Sequence, residues 1–242
     1  MPIDKGTTEY SQIKKGTTNI SEIYIGSTLK FSDFKVISLG SGKSFNIANI
    51  YSGYANLTAN NFFVLSASDA TGSQAISVPA LPGTDGHQRY GGFNFNAKLI
   101  KSYNASTGVL TMYNCVAKAD GTEIGTANVT AGMVIKTGKL INLGTAQSFN
   151  LTSYSNYKNF TANNFLILSA TNTAAGGGSF YYQTYAYADS GTGTSSITKS
   201  YNSSTGVLSA YIRMKSTDTS GVYGMFNGDN TGSVTVYLNP KV

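Results

Sequence analysis

The segment Gly40-Ser41-Gly42-Lys43-Ser44 has residue types that could hold a phosphate group. A phosphate-binding loop combines glycine backbone amides with a lysine ammonium, but it also needs a further glycine where this chain has Ile37, and a helix after the lysine. The residues from Ser44 to Ile47 instead alternate polar and apolar types, which is typical of a strand. We therefore predict a β-turn here rather than a nucleotide site.

Acid–base and metal chemistry has few candidates. The single histidine, His87, lies two residues after Asp85, whereas zinc sites commonly use several imidazoles and a serine triad needs a recognisable nucleophile elbow. Asp120 and Asp218 come closest to matching between the two halves of the chain, and each lies next to turn residues, where aspartate is common. We predict no enzyme activity, no cofactor and no metal. A hydrolase of cell-wall glycans is kept as a minor alternative, because a site confined to one half would escape this comparison.

Tyrosine is the residue type with the most functional potential, and the chain has 17. Strand alternation places Tyr181, Tyr185 and Tyr187 on one face. Tyrosine offers a large contact area, a hydroxyl and few rotamers to freeze, so it is enriched in interfaces. Ordinary covering of a sheet is the alternative. The predicted interface or ligand face comprises Tyr181, Tyr182, Tyr185, Tyr187, Tyr90 and Phe93.

The chain contains two similar copies of one long sequence pattern, and these copies form the elements that carry the residues named above. A repeat of about a hundred residues has the size of a domain and not of a solenoid unit. We therefore predict one domain at 35–138 and a second at 139–242. The matching segments are Leu39–Ile47 with Leu143–Leu151, Thr58–Ala67 with Thr161–Ala170, and Lys101–Leu110 with Lys199–Leu208.

A shorter repeat precedes the two long ones. Glycines at positions 6, 16 and 26 are spaced by ten residues, and each comes before a short β-prone run. This pattern predicts a meander of small strands over residues 1–34, which cannot bury much surface alone and gains stability by adding strands to a partner. An extension of the first domain's sheet is the alternative. The predicted docking residues are Ile13, Ile20, Ile23, Tyr24 and Leu29.

The long repeats read as short strands separated by turns, with no sustained helical period. Two turns, at Asn104–Gly108 and Asn202–Gly206, predict hairpins in which the glycine has a positive φ. Many short strands with frequent turns are typical of sandwiches. We predict an all-β protein of two tandem duplicated β-sandwich domains, of the jelly-roll or immunoglobulin-like kind, after a β-repeat arm.

Composition narrows the function classes. The net charge of +6 is modest and dispersed, whereas a nucleic-acid face needs a denser basic stripe. No apolar run is long enough for a membrane span, and the first residues lack a secretory signal pattern. Cys115 is the single cysteine, so we predict a partly covered thiol without a role. We expect synthesis in a cytoplasm and neither nucleic-acid nor membrane partners.

The residues from Lys15 to Leu29 resemble short segments of structural proteins of tailed bacteriophages, and the turns at Tyr103–Leu110 and Tyr201–Leu208 are similar to such proteins as well. The resemblance implies a virion component, either a head decoration or fibre protein or a tail or baseplate protein. It implies assembly with other virion proteins and with copies of itself. The alternative is a receptor- or carbohydrate-binding module that contacts a host surface glycan through the tyrosine face.

Overall fold

The chain is all-β, as predicted. The computed structural model describes residues 13–15, 18–20, 22–25, 28–32, 36–76, 87–90, 95–118, 121–135, 140–172, 180–183, 189–216 and 229–240, in which the only helices are 3-10 segments of three residues. The strands are β1 (Ile13–Lys15), β2 (Thr18–Ile20), β3 (Glu22–Ile25), β4 (Thr28–Ser32), β5 (Val36–Gly42), β6 (Ser44–Asn46), β7 (Phe62–Ala67), β8 (Ala70–Ile76), β9 (His87–Tyr90), β10 (Phe95–Asn104), β11 (Val109–Lys118), β12 (Glu123–Val134), β13 (Ile141–Ala146), β14 (Ser148–Asn150), β15 (Phe165–Asn172), β16 (Phe180–Gln183), β17 (Asp189–Asn202), β18 (Val207–Ser216) and β19 (Asp229–Leu238).

A central antiparallel sheet runs in the order β5-β12-β7-β15-β19-β13. Its middle is the pairing of Val64 in β7 with Ile167 in β15. Each of these residues lies six positions after the start of the same repeated segment, at Thr58 and Thr161. Because equivalent residues pair with each other in opposite directions, the strands on either side are related by an approximate two-fold axis.

Strands from the two sequence repeats also pair outside the central sheet. β10 pairs with β15 through Ala97–Asn172 and Lys98–Thr171, which closes β10, β11, β12, β7 and β15 into a five-stranded barrel. On the other side, β8 of the first repeat pairs along its whole length with β17 of the second. A separate sandwich for each repeat, with a boundary near residue 138, stays a prediction. Strands from the two sides of that boundary form hydrogen-bonded pairs with each other.

Alternation along the hairpin strands explains the main core. Both β11 and β18 bury every second residue completely or nearly so, as the sequence pattern predicts. β7 and β15 are apolar on both faces, because one face packs in the barrel and the other forms a smaller cluster around Phe63, Val134 and Leu166. The buried alternating residues are Leu110, Met112, Asn114 and Val116 in β11, and Leu208, Ala210, Ile212 and Met214 in β18.

Both predicted hairpin turns have the predicted geometry. Gly108 has φ +68° and Gly206 has φ +69°, the left-handed conformation that glycine adopts without strain. In the second turn the Asn202 carbonyl accepts from Gly206 at 2.8 Å, and its side-chain Oδ1 accepts from the Ser204 amide at 3.0 Å. The first turn has the same two bonds at the same lengths. Asn, Gly and the short polar residues between them therefore fix both turns locally.

The predicted meander of the N-terminal arm is wrong in its pairing. Instead, β1 pairs only with β2, and β3 only with β4, among the described ladders. One residue, Ser21, separates β2 from β3, which is fewer than the two residues of the shortest common hairpin loop. The two-residue connections Gly16-Thr17 and Gly26-Ser27 have the composition that such loops favour. The arm therefore contains two separate hairpins.

Replacing Gly206 by alanine should destabilise the fold far more than replacing Gly144. Alanine at φ +69° is strained, and its Cβ would lie 2.9 Å from both Thr152 Cγ2 and Tyr157 Cδ2, so we expect Gly206→Ala to lower the free energy of unfolding by roughly 2–4 kcal/mol. Gly144 has φ +89° but open space around the added Cβ, so Gly144→Ala should cost about 1 kcal/mol. Denaturant unfolding measures both. Equal losses would show that packing at the turn is unimportant.

Candidate functional site

Three residues of the predicted tyrosine face lie in a ribbon of two strands, and that they share one face stays a prediction. β9 and β16 pair with each other in antiparallel register, one from each sequence repeat. Tyr90 lies directly opposite Phe180, and Tyr181 lies opposite Arg89. Tyr182, opposite Gln88, is also in the ribbon, whereas Tyr185, Tyr187 and Phe93 lie outside the described residues. The strand pairing therefore places Tyr90 beside a segment that is distant in sequence and contains Tyr181 and Tyr182.

The predicted arm residues occupy defined positions in the two hairpins. Ile13 pairs with Ile20 in the first hairpin. In the second, Ile23 pairs with Phe31 and Tyr24 with Leu29. The apolar positions of the arm are therefore concentrated in opposed pairs, the arrangement that stabilises a short hairpin most.

The phosphate-loop candidate is not the predicted β-turn: Gly40, Ser41 and Gly42 belong to β5, and only Lys43 forms a bend before β6. β5 ends at Gly42 and β6 begins at Ser44, with no helix following Lys43. The Lys43 ammonium donates to Thr126 Oγ1 at 2.6 Å. Lys43 is therefore hydrogen-bonded to β12, a strand of its own repeat.

A half-buried lysine occurs at the same place in both repeats. Lys101 Nζ donates to the Phe62 carbonyl at 3.3 Å, and Lys199 Nζ donates to the Phe165 carbonyl at 2.8 Å. Burial lowers the pKa of each ammonium to about 8. Since each bond joins a hairpin strand to the start of a central strand, the lysines help to position the central sheet.

Two tyrosines that follow these lysines are structural. Tyr103 Oη donates to the Tyr54 carbonyl and Tyr201 Oη donates to the Tyr157 carbonyl, both at 2.7 Å. Burial, with a smaller contribution from the tyrosine that accepts the bond, raises the pKa of both phenols. Each phenol therefore keeps its proton and its bond at neutral pH. Part of the tyrosine content thus holds the 3-10 segments to the hairpins.

Asn114 ties the two repeats together inside the protein. Its Nδ2 donates to the Ser195 carbonyl at 2.9 Å and to the Ser68 carbonyl at 3.2 Å, and the residue is completely buried. Its Oδ1 has no partner. The equivalent residue of the second repeat is the apolar Ile212, so this contact exists on one side of the molecule only. Asn114 therefore makes the two halves unequal where they meet.

Cys115 is completely buried rather than partly covered. Burial, with a smaller contribution from the Glu123 carboxylate, raises the pKa of its thiol to about 11. The thiol is therefore protonated at neutral pH and is a poor nucleophile. Tyr113 donates to the same Glu123 at 2.8 Å, and burial together with that bond raises its pKa to about 12.

An open groove of about 540 Å³ lies where β10 and β15 approach β19. Its walls come from both sequence repeats. Gln147, in the bend between β13 and β14, donates to the Thr231 carbonyl at 3.1 Å and accepts from Thr231 Oγ1 at 2.9 Å. The lining residues are Asn96, Ala97, Lys98, Gln147, Thr171, Thr231, Gly232 and Ser233.

Comparison with known proteins identifies no relative. No protein-family model, no curated protein and no solved structure matches this chain. In the described part of the chain, no group of three or more histidine, cysteine or acidic side chains is arranged to hold a metal ion. Nor do the described residues include a helix with the length and apolarity needed to cross a membrane.

The sequence patterns did not predict the half-buried lysines Lys101 and Lys199, the buried Asn114 or the groove. The sequence could have indicated Lys101 and Lys199, because each is the first residue of the same repeated segment. Asn114 was visible as a polar residue at an alternating buried position, but its partners Ser68 and Ser195 are distant in sequence. Nothing in the sequence indicates that Lys98 and Gln147 lie on opposite walls of one groove.

The two half-buried lysines, Lys101 and Lys199, should make stability rise with pH between about 8 and 10.5. In this range the folded lysines lose protons while the unfolded ones keep them, and stability rises wherever the unfolded state binds more protons. The double variant Lys101→Met/Lys199→Met should lack this contribution. The measurement is the difference in unfolding free energy between wild type and variant, because titration of Cys115 and the tyrosines then cancels. A difference that does not change with pH would contradict lysine burial.

Asn114→Asp should strongly destabilise the fold at neutral pH. An ionised carboxylate cannot donate to the Ser195 and Ser68 carbonyls and would be completely buried, so we expect a loss of about 3–5 kcal/mol. Asn128→Asp, at an exposed position of β12, is the matched control and should cost less than about 0.5 kcal/mol. Urea unfolding at pH 7 compares the two. Similar losses would contradict a bridging role for Asn114.

Proposed function

We propose that this chain is a non-enzymatic structural protein of a bacteriophage virion, made in the host cytoplasm. In this proposal it assembles on the head or tail with other virion proteins and copies of itself, through its N-terminal arm and the interfaces of its β-sandwich units. The resemblance of residues 15–29 and of the two hairpin turns to structural proteins of tailed phages supports it. We also propose that the two units arose by tandem duplication, since the turn, lysine and tyrosine contacts occur in both repeats.

The observation that carries the assembly proposal is the separation of the arm from the main sheet. Among the described ladders, the two arm hairpins share no strand pair with the thirteen-stranded sheet or with each other. A lone two-stranded hairpin is marginally stable in water. Its outer backbone groups are a template for adding a strand from another chain. The arm therefore gains most by pairing with a partner.

A second candidate function is favoured by the ribbon of β9 and β16. Its register joins Tyr90, Tyr181 and Tyr182 from two distant segments. Aromatic rings and hydroxyls suit a saccharide or a protein receptor. A receptor- or glycan-binding module of a phage adsorption apparatus is therefore the alternative, and a host surface glycan its partner.

The assembly proposal predicts that mass in solution depends on the arm. Light scattering should show a defined oligomer for the full chain and a monomer for a chain lacking residues 1–34. In the full chain, Ile20→Asp should weaken the oligomer, because Ile20 forms an apolar pair with Ile13 at the open end of the first hairpin. Asn19→Asp, next to it in β2, is the control for added charge and should leave the oligomer intact.

Two outcomes contradict assembly of copies through the arm. One is a full chain that is already monomeric at micromolar concentration. The other is an oligomer that survives removal of residues 1–34, which places the subunit contact on the main sheet. Equal behaviour of Ile20→Asp and Asn19→Asp would remove the specific role of the apolar arm positions.

A further inference from the structure

We propose that the groove between β10 and β19 is a binding site for a short acidic saccharide. It is a separate site from the tyrosine ribbon and does not depend on the assembly proposal. Its volume of about 540 Å³ is within the range of small-ligand sites, roughly 300–1,000 Å³. Since its walls come from β10 of the first repeat and from β15, the Gln147 bend and β19 of the second, the groove exists only in the folded chain.

The lining chemistry suits a polyhydroxylated ligand. Amides of Asn96 and Gln147 and hydroxyls of Thr171, Thr231 and Ser233 surround the groove. These groups donate and accept hydrogen bonds at many positions, as sugar hydroxyls require. Two hydrogen bonds to Thr231 hold the Gln147 side chain in place. One wall is therefore pre-organised, which lowers the entropic cost of binding.

One cation specifies the charge of the ligand. Lys98 is the only charged residue among the eight that line the groove. Among the described residues, its ammonium makes no hydrogen bond or ion pair. An ammonium in a polar groove without an acid favours a ligand carboxylate, and such a charge-assisted bond is stronger than a neutral one. We therefore infer a sugar acid rather than a neutral sugar.

The other side of the molecule shows what distinguishes this groove. The repeat places Lys43 where Gln147 lies, Thr126 where Thr231 lies and Ser196 where Lys98 lies. There, the lysine is engaged, because Lys43 donates to Thr126 at 2.6 Å. The two sides therefore differ in where their lysine lies: Lys43 donates to Thr126 within the protein, whereas Lys98 lines the groove. This difference makes the Lys98 side the binding side.

Titration of the full chain with trigalacturonic acid, followed by calorimetry or amide NMR shifts, tests the proposal. We expect saturable binding that weakens with salt, and much weaker binding of a neutral galactose trisaccharide. Lys98→Ala should lower the affinity for the acid about tenfold or more, and Lys98→Arg should retain it. Thr171→Trp should block the groove, whereas Ser68→Trp, at the equivalent exposed position of the first repeat, should leave binding unchanged.

The following results would overturn the proposal. Absence of saturable binding by wild type at millimolar ligand means that the groove is not a saccharide site of this class. Equal binding of the neutral trisaccharide, or an unchanged affinity in Lys98→Ala, removes the role of the cation. Equal losses in Thr171→Trp and Ser68→Trp place the ligand elsewhere. Circular dichroism and thermal unfolding of each variant show whether it is folded.

Discussion

The fold depends on one antiparallel contact, where Val64 of β7 pairs with Ile167 of β15. Because these residues hold the same position in the two repeats, their pairing places all the strands that follow in an approximate two-fold arrangement. β12 and β5 extend the sheet on one side, and β19 and β13 on the other. The further pairing of β8 with β17 and of β10 with β15 then closes each half with a strand of the other repeat. The main apolar core contains residues of both repeats, so separating the repeats would expose it and each repeat stabilises the other.

The contacts that recur and the contacts that differ have separate roles. Recurring contacts, such as Lys101 with Phe62 and Lys199 with Phe165, hold hairpins to the central sheet and set the scaffold. Two positions that differ between the repeats, Asn114 and Lys98, lie where the repeats meet. A buried polar group is costly unless it is hydrogen-bonded, and Asn114 bonds only because Ser195 and Ser68 present their carbonyls there. Part of the asymmetry of the molecule is therefore built into the junction of the two repeats.

Local features of the fold could be predicted from the sequence, and nonlocal ones could not. The turns at Gly108 and Gly206 were predicted, because their residues fix the conformation within five positions. The buried faces of β11 and β18 were predicted from alternation. Strand exchange between repeats was not, since two similar strands have equal propensity for each other's partners. The arm was predicted as a meander of strands, whereas the described ladders pair β1 with β2 and β3 with β4. The ribbon and the groove join distant segments and leave no local pattern.

The edge strands of the central sheet can be compared with the strands of the arm. Among the described ladders, β5 pairs only with β12 and β13 only with β19, so both are edges of the central sheet. Each has a bulge at a glycine of positive φ, Gly40 or Gly144, where the register shifts. Bulges twist an edge and hinder pairing with another chain. The arm strands β1 to β4 are only three to five residues long. β1 and β2 pair without a register shift, whereas the pairing of β3 with β4 shifts between Ile23 and Tyr24. The first arm hairpin therefore lacks the bulge that blunts β5 and β13, which is in keeping with the proposed association through the arm.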